Sequence, residues 1–311
     1  MRALVFVAPG RVELRDEPEP TPGDGEELIA VRASGICGSE LHGFRSIGMR
    51  VPPLIMGHEF VGTTSSGERV AVNPLLSCGD CDSCAGGRPQ LCRHRGLLGV
   101  SRAGGFAETV AVPRSALHRL PDELTWGAGA LVEPLANAVH AWSLLPTPPA
   151  RVGVIGGGPI GLLCGLFARA RGCDVQLSEP LPHRRSVAAG LGLDAVETLR
   201  GENDAVFDAV GLPDTRRAGV ELTRPGGAVV WIGLAEDGVE LSGNTIVRTE
   251  KKVYGSFAYT PAEFAAAVQL ATQLDLSWTT EVPIDEADTA FYELAAGRGN
   301  MVKAVLVPRT A

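Results

Sequence analysis

Residues 151–161 read RVGVIGGGPIG. The run VGVI is short, apolar and β-branched, which suits a strand buried on both faces. Gly156, Gly158 and Gly161 then form G-x-G-x-x-G, and PIGLLCGLFARARG (159–172) has the length and apolar content of a helix that stops at a glycine. A tight turn, close backbone approach to a pyrophosphate and close helix–strand contact each favour a residue without Cβ, and the amides of the helix N-terminus can bind phosphate. The motif alone is weak. Its place between strand and helix, with Glu179 eighteen residues beyond Gly161 at the end of DVQLSE (174–179), is the context of a dinucleotide fingerprint. A glycine-rich turn in some other α/β protein is the competing reading.

The alternation continues outward from this stretch. DAVFDAVG (204–211), AVVWIG (228–233) and VYGSF (253–257) read as further strands, and HRRSVAAGLG (183–192) as a second helix. Strand and helix in turn argue for a doubly wound parallel sheet with helices on both faces. Upstream the pattern is different. ALVFV (3–7), ELIAVRA (27–33), RVAV (69–72) and ETVAV (108–112) are short strands separated by Gly, Pro and Asp clusters, as in a mainly β, barrel-like domain. Pro146, Pro148 and Pro149 mark the change, and the last fifty residues offer helices at 261–274 and about 285–297 before the strand KAVLVP (303–308). The expected organisation is a β domain over 1–145, a nucleotide-binding domain over 146–260, and a return over 261–311 that pairs back with the first domain. A chain of 311 residues is long enough for two cores.

Apolar residues make up 45% of the chain and charged residues 21%, as in soluble globular proteins. A net charge of −8, with Lys251, Lys252 and Lys303 as its only lysines, argues against binding nucleic acid or acidic membranes through bulk charge. No apolar run approaches the ~20 residues of a membrane span. The start MRALVFVAPG is broken too soon by Pro9 and Gly10 for a signal peptide, so a cytoplasmic, reducing location is expected, where disulfides are rare.

Residues 78–92 read CGDCDSCAGGRPQLC, which places Cys78, Cys81, Cys84 and Cys92 in the spacing C-x2-C-x2-C-x7-C. Four thiolates closing a tetrahedron around zinc make a structural site, because no position stays open for water or substrate. A four-iron cluster motif begins the same way, but here the fourth cysteine comes late and Arg93 follows it where proline is expected. Free thiols or disulfides are the remaining alternative.

A second set of ligand types lies upstream, Cys37 in GICGSELH (35–42) and His58 in GHE (57–59). A catalytic zinc takes about three protein ligands and keeps one position open. The third ligand should be a carboxylate, for which Glu59 and Glu133 are the candidates. His94, His118 and His140 read as structural or surface groups.

In order along the chain, GICGSELH, GHEFVG, the four-cysteine run, GGFAETV, LVEPLANAVHA, GGGPIG, FDAVG and GSFAYT resemble the zinc-dependent medium-chain alcohol dehydrogenases. The likeness is to the polyol, threonine and butanediol members. It covers nearly the whole chain and implies a GroES-like catalytic domain, split in sequence around a Rossmann domain, with a cleft between them. It implies that Cys37, His58 and Glu59 hold the catalytic zinc, with ligation exchanging between Glu59 and Glu133. Ser39 and His42 match a hydroxyl and an imidazole that relay the proton of the alcohol. Gly156, Gly158, Pro159, Ile160, Gly161, Glu179, Arg184, Val210, Gly233 and Ser256 become the candidate cofactor contacts. Two zinc ions per subunit, NAD in preference to NADP, a small alcohol or ketone substrate and a homodimer or homotetramer follow as expectations. Phe44, Arg45 and Arg50 are expected near the mouth of the pocket.

The chain departs from the family in two places. TTSSGERV (63–70) follows GHEFVG at once, with Glu68 in an aspartate position, and only ETLRGEN (197–203) separates LGLDAV from DAVFDAVG, where a helix and strand connection is usual. One face of the sheet should therefore be partly uncovered near its third strand. The leading function is an NAD- and zinc-dependent dehydrogenase of a secondary alcohol or polyol. A biosynthetic dehydrogenase of a cyclitol, aminocyclitol or sugar-derived alcohol would use the same motifs. A noncatalytic dinucleotide-binding sensor or scaffold is the alternative of another class, and the retention of both Cys37 and His58 speaks against it.

Overall fold

A computed structural model describes residues 1–308. The chain forms two compact units. One comprises Met1–Glu133 and the segment from Thr260 onward, and the other Pro134–Tyr259. The first boundary thus precedes the proline cluster at 146–149. The helix Val132–Ser143 falls almost wholly within the second unit, where Trp142 meets Phe167 edge-on with ring centroids 5.5 Å apart.

The second unit is built on a six-stranded sheet. Its strands lie in the order Asp194–Val196, Asp174–Ser178, Arg151–Ile155, Asn203–Asp208, Thr223–Trp231 and Lys252–Gly255, and every neighbouring pair is parallel. Numbered along the chain, this is the order 3-2-1-4-5-6 of the Rossmann fold. The central strands are apolar because both of their faces are covered: Val152, Val154, Val206, Phe207, Val229 and Val230 are all buried. Helices Pro159–Ala170, Pro182–Gly190 and Pro213–Glu221 each carry proline in their first turn, where no amide partner is lost. Between Asp194–Val196 and Asn203–Asp208 there is no helix. The expected gap in cover is partly filled by Leu199, which is buried with Ile155, Val206, Val220 and Val229.

The first unit is mainly β. The ten-residue strand Glu26–Gly35 is its axis, pairing antiparallel with Glu59–Thr63, Thr109–Pro113 and Ala304–Val307. The C-terminal strand also runs parallel to Thr280–Pro283. A core of Leu4, Phe6, Ile36, Phe44, Met56, Phe106, Phe291 and Leu306 mixes residues from the two ends of the chain, which is why the C-terminal segment returns to the N-terminal unit. Among the described residues, no helix is long and apolar enough to cross a membrane.

Candidate active site

The strand Glu26–Gly35 ends where the chain must bend sharply. A Cβ at Gly35 would collide with the carboxylate of Glu59 and with the stem of Lys303. Cys37 then caps the six-residue helix Gly38–Gly43. Glu40, in the first turn, is fully buried. Its Oε2 accepts the Cys37 amide at 2.9 Å; its Oε1 accepts the Gly57 amide at 2.9 Å and lies 2.9 Å from His58 Nδ1. A carboxylate is acceptor-only, so the His58 proton sits on Nδ1 and Nε2 is left as the ligand atom.

Ligand atoms of Cys37, His58 and Glu59 all lie within 4.8 Å of one another. Glu133, half-buried in the helix Val132–Ser143, is not among the groups that converge there. Lys303, 1% exposed, pairs its Nζ with Glu59 Oε2 and donates to the Ile36 carbonyl at 2.9 Å. Burial pushes the Lys303 ammonium down, but Glu59 and then Cys37 outweigh it and raise the group. Burial likewise lowers His58, and the charges of Glu40 and Cys37 reverse this and hold it well above its ordinary value. Burial raises Glu40, while His58 and Arg50 bring it below the usual carboxylate range. Without a metal His58 is thus disposed to hold a second proton on Nε2, which a cation there would displace; the donors, one soft, one borderline and one hard, suit such a cation. The residues fit a zinc ion with three protein ligands.

The four-cysteine lobe passes a different test. Its sulfurs lie 3.4 Å apart for Cys78–Cys92, 3.6 Å for Cys81–Cys84, 3.8 Å for Cys81–Cys92 and 4.0 Å for Cys78–Cys84. A tetrahedron with Zn–S bonds of ~2.3 Å has edges of ~3.8 Å. All four cysteines are free, which removes the disulfide reading. The amides of Cys78 and His94 donate to Cys92 Sγ at 3.4 and 3.3 Å. The amide of Cys84 draws the Cys81 thiol down to about 6, while Asp80 pushes Cys78 up to about 12. A cation placed between the four sulfurs would hold them together as thiolates.

Ser39 and His42 share the short helix Gly38–Gly43, and both are exposed. The three neighbours expected near the pocket mouth have different surroundings. Phe44 is buried edge-on against Phe291, with centroids 5.1 Å apart. Arg45 donates to the Ala295 carbonyl at 3.0 Å. Arg50 is buried rather than solvated, because the turn after Gly43 folds it back under the helix.

In the second unit the candidate cofactor contacts gather at the C-terminal ends of the strands, where open α/β sheets bind ligands. Gly156 follows the first strand with φ +102°, and a Cβ on Gly161 would collide with its carbonyl. Gly158 caps the helix that Pro159, Ile160 and Gly161 open. Glu179 is buried; its Oε2 accepts the Gly157 amide and its Oε1 the Leu181 amide, both at 2.9 Å. Gly156, Glu179, Arg184 and Val210 line a cavity of ≈ 410 Å³, and the Arg184 Nε has no partner there. Gly233 and Ser256 sit beyond the next two strands, their amides bound to the carbonyls of Asp208 and Trp231 at 3.0 and 2.9 Å. They do not line that cavity.

Residues 23–122 match the alcohol dehydrogenase GroES-like domain, and residues 159–273 match the zinc-binding dehydrogenase domain. The chain is 34% identical to the L-threonine 3-dehydrogenase of Streptomyces coelicolor, over 97% of its own length and 98% of that protein's. The chain belongs to the zinc-dependent medium-chain alcohol dehydrogenases. The crystal structure of 2R,3R-butanediol dehydrogenase from Bacillus subtilis superposes with a TM-score of 0.89 at 28% identity, covering 99% of both chains. A zinc-binding dehydrogenase from Sinorhizobium meliloti 1021 bound to NADP does so with a TM-score of 0.91 at 30% identity, again covering 99% of both. The protein is thus a zinc-dependent alcohol oxidoreductase that uses NAD(P).

Within this medium-chain dehydrogenase, sequence reading missed Glu40 and Lys303, and it named Arg50 only as a loop residue near the pocket mouth, not as a buried one. Glu40 had a signal, an acid in the first turn of a helix three residues after a ligand. Lys303 had one too, a lysine inside the apolar run VKAVLV. Arg50 had none, since a loop arginine is usually solvated.

The two ligand sets differ in what they support. The purified protein should contain about two zinc ions per chain by elemental analysis. Cys37→Ala should remove about one of them with little change in melting temperature. Cys84→Ala should also remove one, but lower the melting temperature by ~5 °C or more. One zinc in the unsubstituted protein, or the reverse pattern of melting, would refute the division into a catalytic and a structural site.

Proposed function

We propose that this dehydrogenase oxidises a secondary alcohol or polyol, or reduces the matching ketone, with NAD(H). The observation that carries this reading is the convergence of Cys37, His58 and Glu59 at the helix bearing Ser39 and His42. Cys37, His58 and Glu59 would hold the metal, and Glu40 orients His58 toward it. When bound, zinc polarises an alcohol oxygen as a Lewis acid and NAD(P) accepts the hydride. The proton is the protein's own task. Ser39 takes it from the alcohol, and His42, three residues on along the same helix, passes it to water. Glu59 is held by Lys303, so the pair stays ordered in the dry interior.

A panel of secondary alcohols, among them L-threonine, 2,3-butanediol and simple polyols, followed by NADH absorbance should give turnover with at least one class. His58→Ala should lower it by roughly 10³-fold or more. Turnover that persists in His58→Ala would remove the metal set from the chemistry.

We infer a preference for NAD over NADP from Glu179. Its two amide bonds occupy about half of a carboxylate's ~4 lone-pair sites, leaving acceptors for ribose hydroxyls. A 2′-phosphate would meet the same negative charge, at a cost on the order of 1–3 kcal/mol, or ten- to a hundredfold. Arg184, in the same cavity, pulls the other way. The kcat/KM for NAD should exceed that for NADP with one alcohol, and Glu179→Ser should narrow the gap. Equal values in the unsubstituted enzyme would mean that Arg184 prevails.

A homodimer or homotetramer fits the sheet of the second unit, whose last strand Lys252–Gly255 pairs on one side only and lies close in sequence to the exposed Val247 and Phe257. Sedimentation at micromolar concentration should show no monomer; a monomer alone would leave that edge uncovered. The free cysteines suit a protein of the reducing cytoplasm.

A further inference from the structure

Arg50 is 5% exposed, and among the described residues no carboxylate lies within ion-pair distance of it. A buried guanidinium without a paired acid is costly unless its donors are placed for a purpose. Its Nη1 donates to the Ser39 carbonyl at 3.1 Å, its Nη2 to Ser39 Oγ at 3.3 Å and its Nε to the Gly99 carbonyl at 3.4 Å. Gly43 makes room for it, since a Cβ there would stand 2.6 Å from Nη1. The charge reaches Glu40 as well, whose carboxyl it helps to hold below its usual range.

Guanidinium has no acceptor, so the polarity of the Arg50–Ser39 bond is fixed. Ser39 Oγ must accept. One of its two lone pairs is then occupied, and one lone pair and its own proton remain. A serine near a helix start otherwise tends to give its proton to a nearby carbonyl, which removes it from chemistry. Here the buried side of the hydroxyl is already taken by a donor, and the exposed side of Ser39 is left with the free lone pair and the free proton.

We propose that Arg50 is the positioning residue that sets Ser39 for proton transfer, holding its hydroxyl so that it accepts from the alcohol while giving its own proton onward. This rests on the reading of Ser39 as the proton-handling hydroxyl. The step balances. The alcohol O–H breaks and a new Oγ–H forms, the original Ser39 proton leaves toward His42, and the hydride goes to NAD(P)+. The fixed positive charge behind Oγ makes the hydroxyl a stronger donor and a weaker base. A proton is therefore passed on rather than kept, and in the reverse direction Ser39 donates to the forming alkoxide.

The test compares Arg50→Met, Arg50→Lys, Ser39→Ala and the double variant Ser39→Ala/Arg50→Met, each as full-length zinc-loaded enzyme. Arg50→Met should lower kcat by about 10- to 100-fold with KM nearly unchanged, and should raise the solvent deuterium isotope effect on kcat. Zinc content should stay as in the unsubstituted protein, and Arg50→Lys should recover part of kcat. The double variant should be no slower than Ser39→Ala, because the effect of Arg50 on turnover passes through that hydroxyl, while its weaker influence on Glu40 is read separately in the zinc content. If Arg50→Met does not fold, Gly43→Ala displaces the guanidinium without deleting it and should give the same kcat loss and isotope effect. Full kcat in Ser39→Ala would overturn the reading of Ser39 itself, and Arg50 with it. An impaired Ser39→Ala beside an unimpaired Arg50→Met, or losses that multiply in the double variant, would overturn the role of Arg50 alone.

Discussion

The buried carboxylate of Glu40 is the constraint on which the metal-binding end of the first unit depends. It reaches three places at once, the amide of Cys37, the amide of Gly57 and the ring of His58. Two of those residues, Cys37 and His58, are among the proposed metal ligands, and they come from chain segments twenty-one residues apart. A carboxylate with no solvent must be met by donors, and here every donor belongs to the backbone or side chain that has to be placed. The cost of desolvating one acid thus fixes the distance and orientation of the ligands before any metal arrives. Replacing Glu40 by an apolar residue would free two amides and one imidazole in a dry interior, with the full desolvation penalty of each.

Lys303 does the same for the C-terminal segment. A lysine 1% exposed is tolerable only if its charge is met, and Glu59 and the Ile36 carbonyl meet it. Both partners lie in the N-terminal part of the chain. The strand Ala304–Val307 is therefore registered on Glu26–Gly35 by its backbone ladder, by its apolar side chains in the shared core, and by one charge next to the ligand set. Buried Arg50 is a third member of the group, and with Glu40, Glu59 and Lys303 it makes two buried cations and two buried anions in addition to Cys37 and His58. Such a set is nearly neutral as a whole, which allows ions that would be unstable singly to share one low-dielectric region.

Most of the fold was legible because periodicity and glycine placement are local signals. RVGVIG followed by GGPIG specifies strand, turn and helix within a dozen residues, and the parallel order follows once the units alternate. The four cysteines were legible for the same reason, since their ligand geometry is contained in a fifteen-residue run. Cys37 and His58 were legible only jointly with the nucleotide loop and the four-cysteine run; their approach depends on a strand pairing that no spacing announces. Glu40 and Lys303 left weak traces as acid and base in unexpected company. Arg50 left none. Its burial is set by the path of the chain between Gly43 and the strand Glu59–Thr63, and the same residue on a path displaced by a few ångströms would be solvated.

The two shortened segments show why the site could be read through a chain that departs from its relatives. The first becomes a tight connection in which Thr64 donates to the Glu68 carbonyl at 2.9 Å and Gly67 turns with φ +84°. The strands Glu59–Thr63 and Arg69–Val72 stay paired on either side of it, so the register that places Glu59 is untouched. The second removes a helix between the third and fourth strands of the Rossmann sheet, and Leu199 covers part of the exposed face in its place. The phosphate loop lies after the first strand of the sheet and is held by the end of the second, the Gly156 amide donating to the Ser178 carbonyl at 2.8 Å and the Gly157 amide to Glu179. Both deletions fall where the backbone can close on itself with a few hydrogen bonds. The ligand strand and the glycine turn cannot, because each is held by residues far away in sequence. Loss at the loops is a matter of local closure entropy, which changes slowly with length. Loss at the site would strand buried charges.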